Sequence, residues 1–99
     1  MKIEYVRSGG LAGLRQSYSA SSDALSADEQ SQLSQLIEDS RFFDQPEMIG
    51  TGGSGADRFQ YRISVEDDGR SHTVQVGEDA VPAELRPLIS WLANASRRH

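Results

Sequence analysis

Few residues in this chain could do chemistry, and the first to weigh is its one internal histidine, His72; the other, His99, is the last residue. A histidine acting as a general base needs a second group to orient it and a pocket to act in. The hairpin register derived below puts His72 on the apolar face near the end of the sheet, where a lone histidine reads as packed and hydrogen-bonded. There is no His-x-x-x-His spacing and no cysteine. A tetrahedral zinc site, which needs three or four such ligands, therefore has nothing to assemble from, and no metal or cofactor is expected. Gly50-Thr51-Gly52-Gly53-Ser54-Gly55 matches G-x-G-x-x-G in form. A dinucleotide site needs a strand before that motif and a helix N-terminus after it, whereas here a strand follows, so it reads as a surface loop. Glu66-Asp67-Asp68-Gly69 lacks the alternating ligand spacing of a calcium loop and reads as a solvated turn. Serine is abundant, but there is no G-x-S-x-G elbow and no Ser-x-x-Lys pair. No nucleophile, base and orienter can be put together from these residues, and the chain is not expected to be an enzyme.

Ser8-Gly9-Gly10-Leu11-Ala12-Gly13 is more pointed. One reading is a glycine-rich hairpin turn, since glycine supplies turn geometry. The other is a binding segment: glycines keep the backbone thin, and Leu11 in their midst is an apolar anchor. Ordering a free segment costs about 1 to 2 kcal/mol per residue, so such a segment gains if strand ends clamp both sides of it. Asp57, Arg58 and Arg62 form a second group, read either as surface charge flanking a strand or as a secondary contact. Trp91 stands between core margin and interface anchor. Arg97-Arg98 is explained by the helix macrodipole, which favours cations at a C-terminus.

The elements that must position these residues follow from hydrophobic period. Met1, Ile3 and Tyr5 form the apolar face of a strand over residues 2 to 7, with Lys2, Glu4 and Arg7 assigned to the other face. Leu14, Gln16, Tyr18 and Ala20 share one face of a second strand, joined to the first as an antiparallel hairpin. Ser26-Ala27-Asp28-Glu29 has capping-box spacing, so a helix starts there, with Leu33, Leu36 and Ile37 on its buried stripe and Phe42-Phe43 plugging its end against the sheet. Phe59, Tyr61, Ile63 and Val65 alternate with polar residues in the cleanest strand of the chain. Asp68-Gly69 suits a type I′ turn, and a two-residue loop there pairs Asp67 with Arg70, Val65 with His72, Ile63 with Val74 and Tyr61 with Val76. Leu85, Leu88, Ile89, Leu92 and Ala95 trace a last helix, which Pro87 obliges to begin near Glu84 rather than at Pro82. The expectation is a single α+β domain over 1–99, of element order ββαββα: a four-stranded antiparallel sheet with two helices on one face. Residues 44–56 are expected to form a mobile Gly-rich loop and 96–99 a flexible C-terminus.

Composition sets outer limits. Ninety-nine residues leave room for one thin core and not for a deep substrate-enclosing cavity. Fifteen acidic against ten basic side chains give a net charge of −5, which repels phosphate backbones, so nucleic acid is not an expected partner. No apolar run reaches the roughly 18 residues of a membrane span, and the start lacks the basic flank and apolar stretch of a signal peptide. A cytoplasmic protein without membrane association is expected, monomeric when free, although edge-strand pairing would also make a dimer.

The chain resembles the emfourin family, small bacterial protein inhibitors of protealysin and related thermolysin-like zinc metallopeptidases. The resemblance lies in the Ile3-Glu4 strand running into Arg7-Ser8-Gly9-Gly10-x-Ala12-Gly13. It continues in Gly55-Ala56-Asp57-Arg58-Phe59-Gln60-Tyr61-Arg62, in His72-Thr73-Val74 and in Leu85-Arg86-Pro87-Leu88-Ile89-x-Trp91-Leu92. The central loop is Gly-rich here where the family is proline-rich, so nothing is carried over onto residues 47–54. The resemblance implies a cytoplasmic protein that binds a folded metallopeptidase and blocks it without being an enzyme. The contact expected is Ser8, Gly9, Gly10, Leu11 and Ala12 in the active-site cleft, with Asp57 and Arg58 as secondary contacts. A second expectation is a non-inhibitory interaction module that recruits another protein through its open sheet edge or Gly-rich loop.

Overall fold

The computed structural model of the chain describes residues 1–9, 14–50 and 59–98. Strands β1 (Lys2–Gly9) and β2 (Leu14–Ser21) are followed by helix α1 (Ala27–Asp39), a two-residue strand β3 (Met48–Ile49), the hairpin β4 (Phe59–Asp67) and β5 (Arg70–Gly77), and helix α2 (Arg86–Arg98). They form one sheet in the order β2-β1-β4-β5-β3. The α+β class and two helices agree with expectation, but the sheet is not a four-stranded antiparallel one. The fifth strand, β3, runs parallel to β5 and makes it mixed. Two residues carry no alternation that could reveal a strand. What holds them is tertiary: the Gln75 N–H donates to the Glu47 carbonyl at 2.7 Å, and the buried Gln45 side chain donates to the Ser40 carbonyl and the Glu84 carboxylate.

The two hairpins give the sheet its frame. β1 pairs with β2 over eight positions without a bulge, and on its other side with β4 over eight more, which makes it an interior strand of the sheet. In the β4–β5 hairpin Asp68 and Gly69 take the positive φ values of a I′ turn, 53° and 80°. The pairs Asp67 with Arg70, Val65 with His72, Ile63 with Val74 and Tyr61 with Val76 are the expected ones.

Both helices cover the same face. Ile3, Tyr5, Tyr18, Ile63, Val65, Val74 and Val76 from the strands are buried against Leu33 and Ile37 of α1 and Leu88, Ile89, Leu92 and Ala95 of α2. α1 opens with a reciprocal capping box, the Glu29 N–H donating to Ser26 Oγ and the Ser26 N–H to Glu29 Oε1, each at 3.1 Å. It ends where Arg41 enters the left-handed region and drops Phe42 into the core, edge-on to Phe43. α2 begins at Arg86, slightly later than expected. A 3-10 turn over Ala83–Leu85 precedes it, and Pro87 then sits in the first turn, where no partner for its missing N–H is needed. Ser96 and Arg97 belong to this helix.

The opposite face of the sheet is open, lined by Lys2, Glu4, Gln60, Arg62 and Glu66, with Ser64 and Thr73 joined across β4 and β5 by a 2.9 Å hydrogen bond. No helix among the described residues is long and apolar enough to cross a membrane.

Candidate functional site

Gly9 is the residue on which the candidate site turns. It pairs with Leu14 of β2 on one side and with Phe59 of β4 on the other. The segments 10–13 and 51–58, which hold part of each group of residues singled out from the sequence, therefore join the sheet at neighbouring points of one end. Gly9 has φ of 110°, a conformation that L side chains rarely adopt, so a glycine is required where the chain leaves β1. Ser8 is half-buried and pairs with Arg15 and Gln60. Gly10, Leu11 and Ala12 lie outside the described residues, as do Asp57 and Arg58. Arg62, grouped with those two in the sequence, is exposed on the open face, opposite Val6 and Gln75.

Sequence reading missed the support under this end. Arg7, assigned to the polar face, lies on the same face as Ile3 and Tyr5, because residues two apart in a strand share a face. Its guanidinium carbon stands 3.9 Å from the centroid of the Phe59 ring. Because Arg7 pairs with Tyr61 and Gly9 with Phe59, this is a diagonal contact across β1 and β4, within reach of long side chains. The Phe59 N–H also donates to Glu78 Oε1 at 3.1 Å, which ties the start of β4 to the turn after β5. A charge at core parity, beside Ile3 and Tyr5, was the available signal.

Below Arg7 the Tyr5 ring is fully buried and stacked on Tyr61, with centroids 6.2 Å apart. Its hydroxyl and the Arg7 Nε are both buried without a hydrogen-bond partner among the described residues. Burial, reinforced by the neighbouring Tyr61, pushes the Tyr5 phenol up to about 12, against a smaller opposing pull from Arg7 and Arg97. Tyr5 is therefore neutral at any physiological pH.

The other chemically able residues are not assembled into a reacting centre. His72 Nε2 is 2.7 Å from the Gln45 carbonyl, and its ring meets Phe42 edge-on, the packed role expected for it. Asp67 and Asp68 belong to the β4–β5 turn region, and Asp67 lies 3.9 Å from the N-terminal amine. Among the described residues no three His, Asp or Glu side chains are grouped as metal ligands. Trp91 takes a mixed position: half-buried, edge-on to Tyr18 at 6.2 Å, its Nε1–H donating to Gln32.

Fold and site together define a small α+β domain whose sheet sets Gly9, Leu14 and Phe59, the residues that flank two chain segments, side by side at one end. The Emfourin family model matches residues 5–93, nearly the whole length, and the chain belongs to that family. It is a family of metallopeptidase inhibitors. No curated protein and no solved structure matches the chain.

Proposed function

We propose that this protein inhibits a thermolysin-like zinc metallopeptidase by placing residues Ser8 to Ala12 in its active-site cleft. The observation that carries the reading is the family match, which spans the hairpin bearing those residues. The geometry supports it: four residues, 10–13, are held between Gly9 and Leu14, which pair directly. Both ends of the segment are fixed before binding, which lowers the ordering cost that a free peptide would meet. Leu11 is the side chain offered to a hydrophobic pocket beside the zinc, Gly9 and Gly10 keep the backbone thin at the rim, and Ser8 approaches the zinc-bound water. Asp57 and Arg58, two and one residues before Phe59, make the secondary contact from the adjoining point of the sheet. The mechanism is steric occlusion, since residues 8–12, offered to the cleft, include no Cys, His, Asp or Glu to ligate zinc.

Replacement Leu11→Asp tests the contact. Inhibition should weaken by well over tenfold while the circular dichroism spectrum stays unchanged. Equal potency of the variant would move the contact away from residues 8–12.

A further inference from the structure

Among the described residues β2 is the terminal strand on one side of the sheet, with no further strand paired to its outer edge. Natural proteins disarm such edges with lysine, proline, bulges or short strands, because an open edge templates pairing with another chain. The far edge of this sheet is disarmed in that way, for β3 has only two residues. β2 is not. It runs for eight residues, Leu-Arg-Gln-Ser-Tyr-Ser-Ala-Ser, with no proline, no lysine, an unbroken register to β1 and one charge, Arg15. Its far end is pinned as well, the Ser22 N–H donating to the Met1 carbonyl at 2.9 Å.

We propose that β2 pairs with β2 of a second copy, antiparallel about a two-fold axis at Tyr18, to form a continuous ten-stranded sheet. That register sets residue 15 opposite 21, 16 opposite 20 and 17 opposite 19. Opposed residues in an antiparallel pair share a face, so both copies keep their helices on the same side. No like charges are opposed. Arg15 of each copy instead faces Ser21 of the other, two residues short of the exposed Asp23, its nearest opposite charge on that strand end. On the helix side the half-buried Trp91, edge-on to Tyr18, meets its two-fold equivalent and extends the contact with apolar surface. This assigns Trp91 the interface role that the sequence left open. A chain of net charge −5 repels its own copies overall, whereas β2 itself carries no acidic residue. Antiparallel pairing sends the two Gly9–Leu14 ends in opposite directions, so each remains accessible. The proposal stands independently of the inhibitor reading and replaces the expectation of a free monomer.

Sedimentation velocity of the purified protein over a concentration series tests it without any peptidase present. A concentration-dependent dimer is expected. Ser17→Lys with Ser19→Lys, which opposes lysines across the axis, should raise the dimer dissociation constant at least tenfold with unchanged circular dichroism. Arg15→Asp and Asp23→Arg should each weaken the dimer, and the two together should restore it; this charge swap carries the test should the lysine variant unfold. A monomer at every concentration, or a dimer indifferent to these substitutions, overturns the proposal.

Discussion

The guanidinium of Arg7 rests 3.9 Å above the centre of the Phe59 ring, and in doing so joins the end of β1 to the first residue of β4. These are the two strands from which the 10–13 and 51–58 segments depart. A cation on an aromatic face is worth about 0.5 to 2 kcal/mol, depending on how dry the contact is. Phe59→Leu and Arg7→Met should each lower stability by about 1 kcal/mol. They should also weaken peptidase inhibition severalfold, mainly through faster dissociation. Arg7→Lys, which keeps the cation, should recover part of the loss. Urea unfolding beside inhibition kinetics checks this; unchanged inhibition in all three variants would make the contact purely structural.

Tyr5 gives the fold an alkaline limit. Its phenol titrates near 10 when unfolded and is pushed up to about 12 when folded. Between those values the unfolded chain has released a proton that the folded chain retains, so stability is full below pH 10 and declines as pH rises toward 12. The decline attributable to this group is up to about 2 to 3 kcal/mol. Tyr5→Phe should abolish it. Because the hydroxyl has no partner among the described residues, the variant should also be at least as stable as the parent at pH 7. Thermal melts of both proteins at pH 7, 9 and 11 measure the difference directly.

Gly77 is buried, and a Cβ there would meet the Gly50 carbonyl oxygen at 2.7 Å, an approach that backbone cannot absorb without shifting. Gly77→Ala should push β3 off β5. The expected signature is loss of hydrogen-exchange protection at the Gln75 amide, which donates to Glu47, together with about 1 to 3 kcal/mol of destabilisation from overpacking.

The α1 cap offers a control remote from the candidate site. Ser26→Ala removes one half of the capping box and should cost about 1 kcal/mol, or about 4 to 8 °C in Tm for a domain of this size. Inhibition at temperatures well below Tm should not change.

Where local period and turn chemistry decide the structure, the sequence was sufficient. The Asp68-Gly69 turn set the β4–β5 register to the residue, and Ser26 with Glu29 marked the start of α1. β3 was not legible, because Met48 and Ile49 are a strand only through what Gln75 and the Ser40–Gln45 contact do to the chain around them. The face of Arg7 was misassigned by attending to its charge instead of its parity. A guanidinium can occupy core parity at a sheet end because the Phe59 ring supplies a favourable surface for it. At the candidate site, Ser8 and Gly9 are placed as the chain leaves β1, whereas Gly10 to Ala12, Asp57 and Arg58 fall outside the described residues. The pairing of Gly9 with Phe59, which sets the points where the two segments join the sheet side by side, is long-range information that neither segment carries alone.

The central claim is best tested by titrating a thermolysin-like metallopeptidase with the purified protein, with and without excess zinc. The account predicts saturable inhibition that zinc does not reverse, with the added protein recovered intact. Absence of both inhibition and a complex, or inhibition that zinc abolishes, would contradict it.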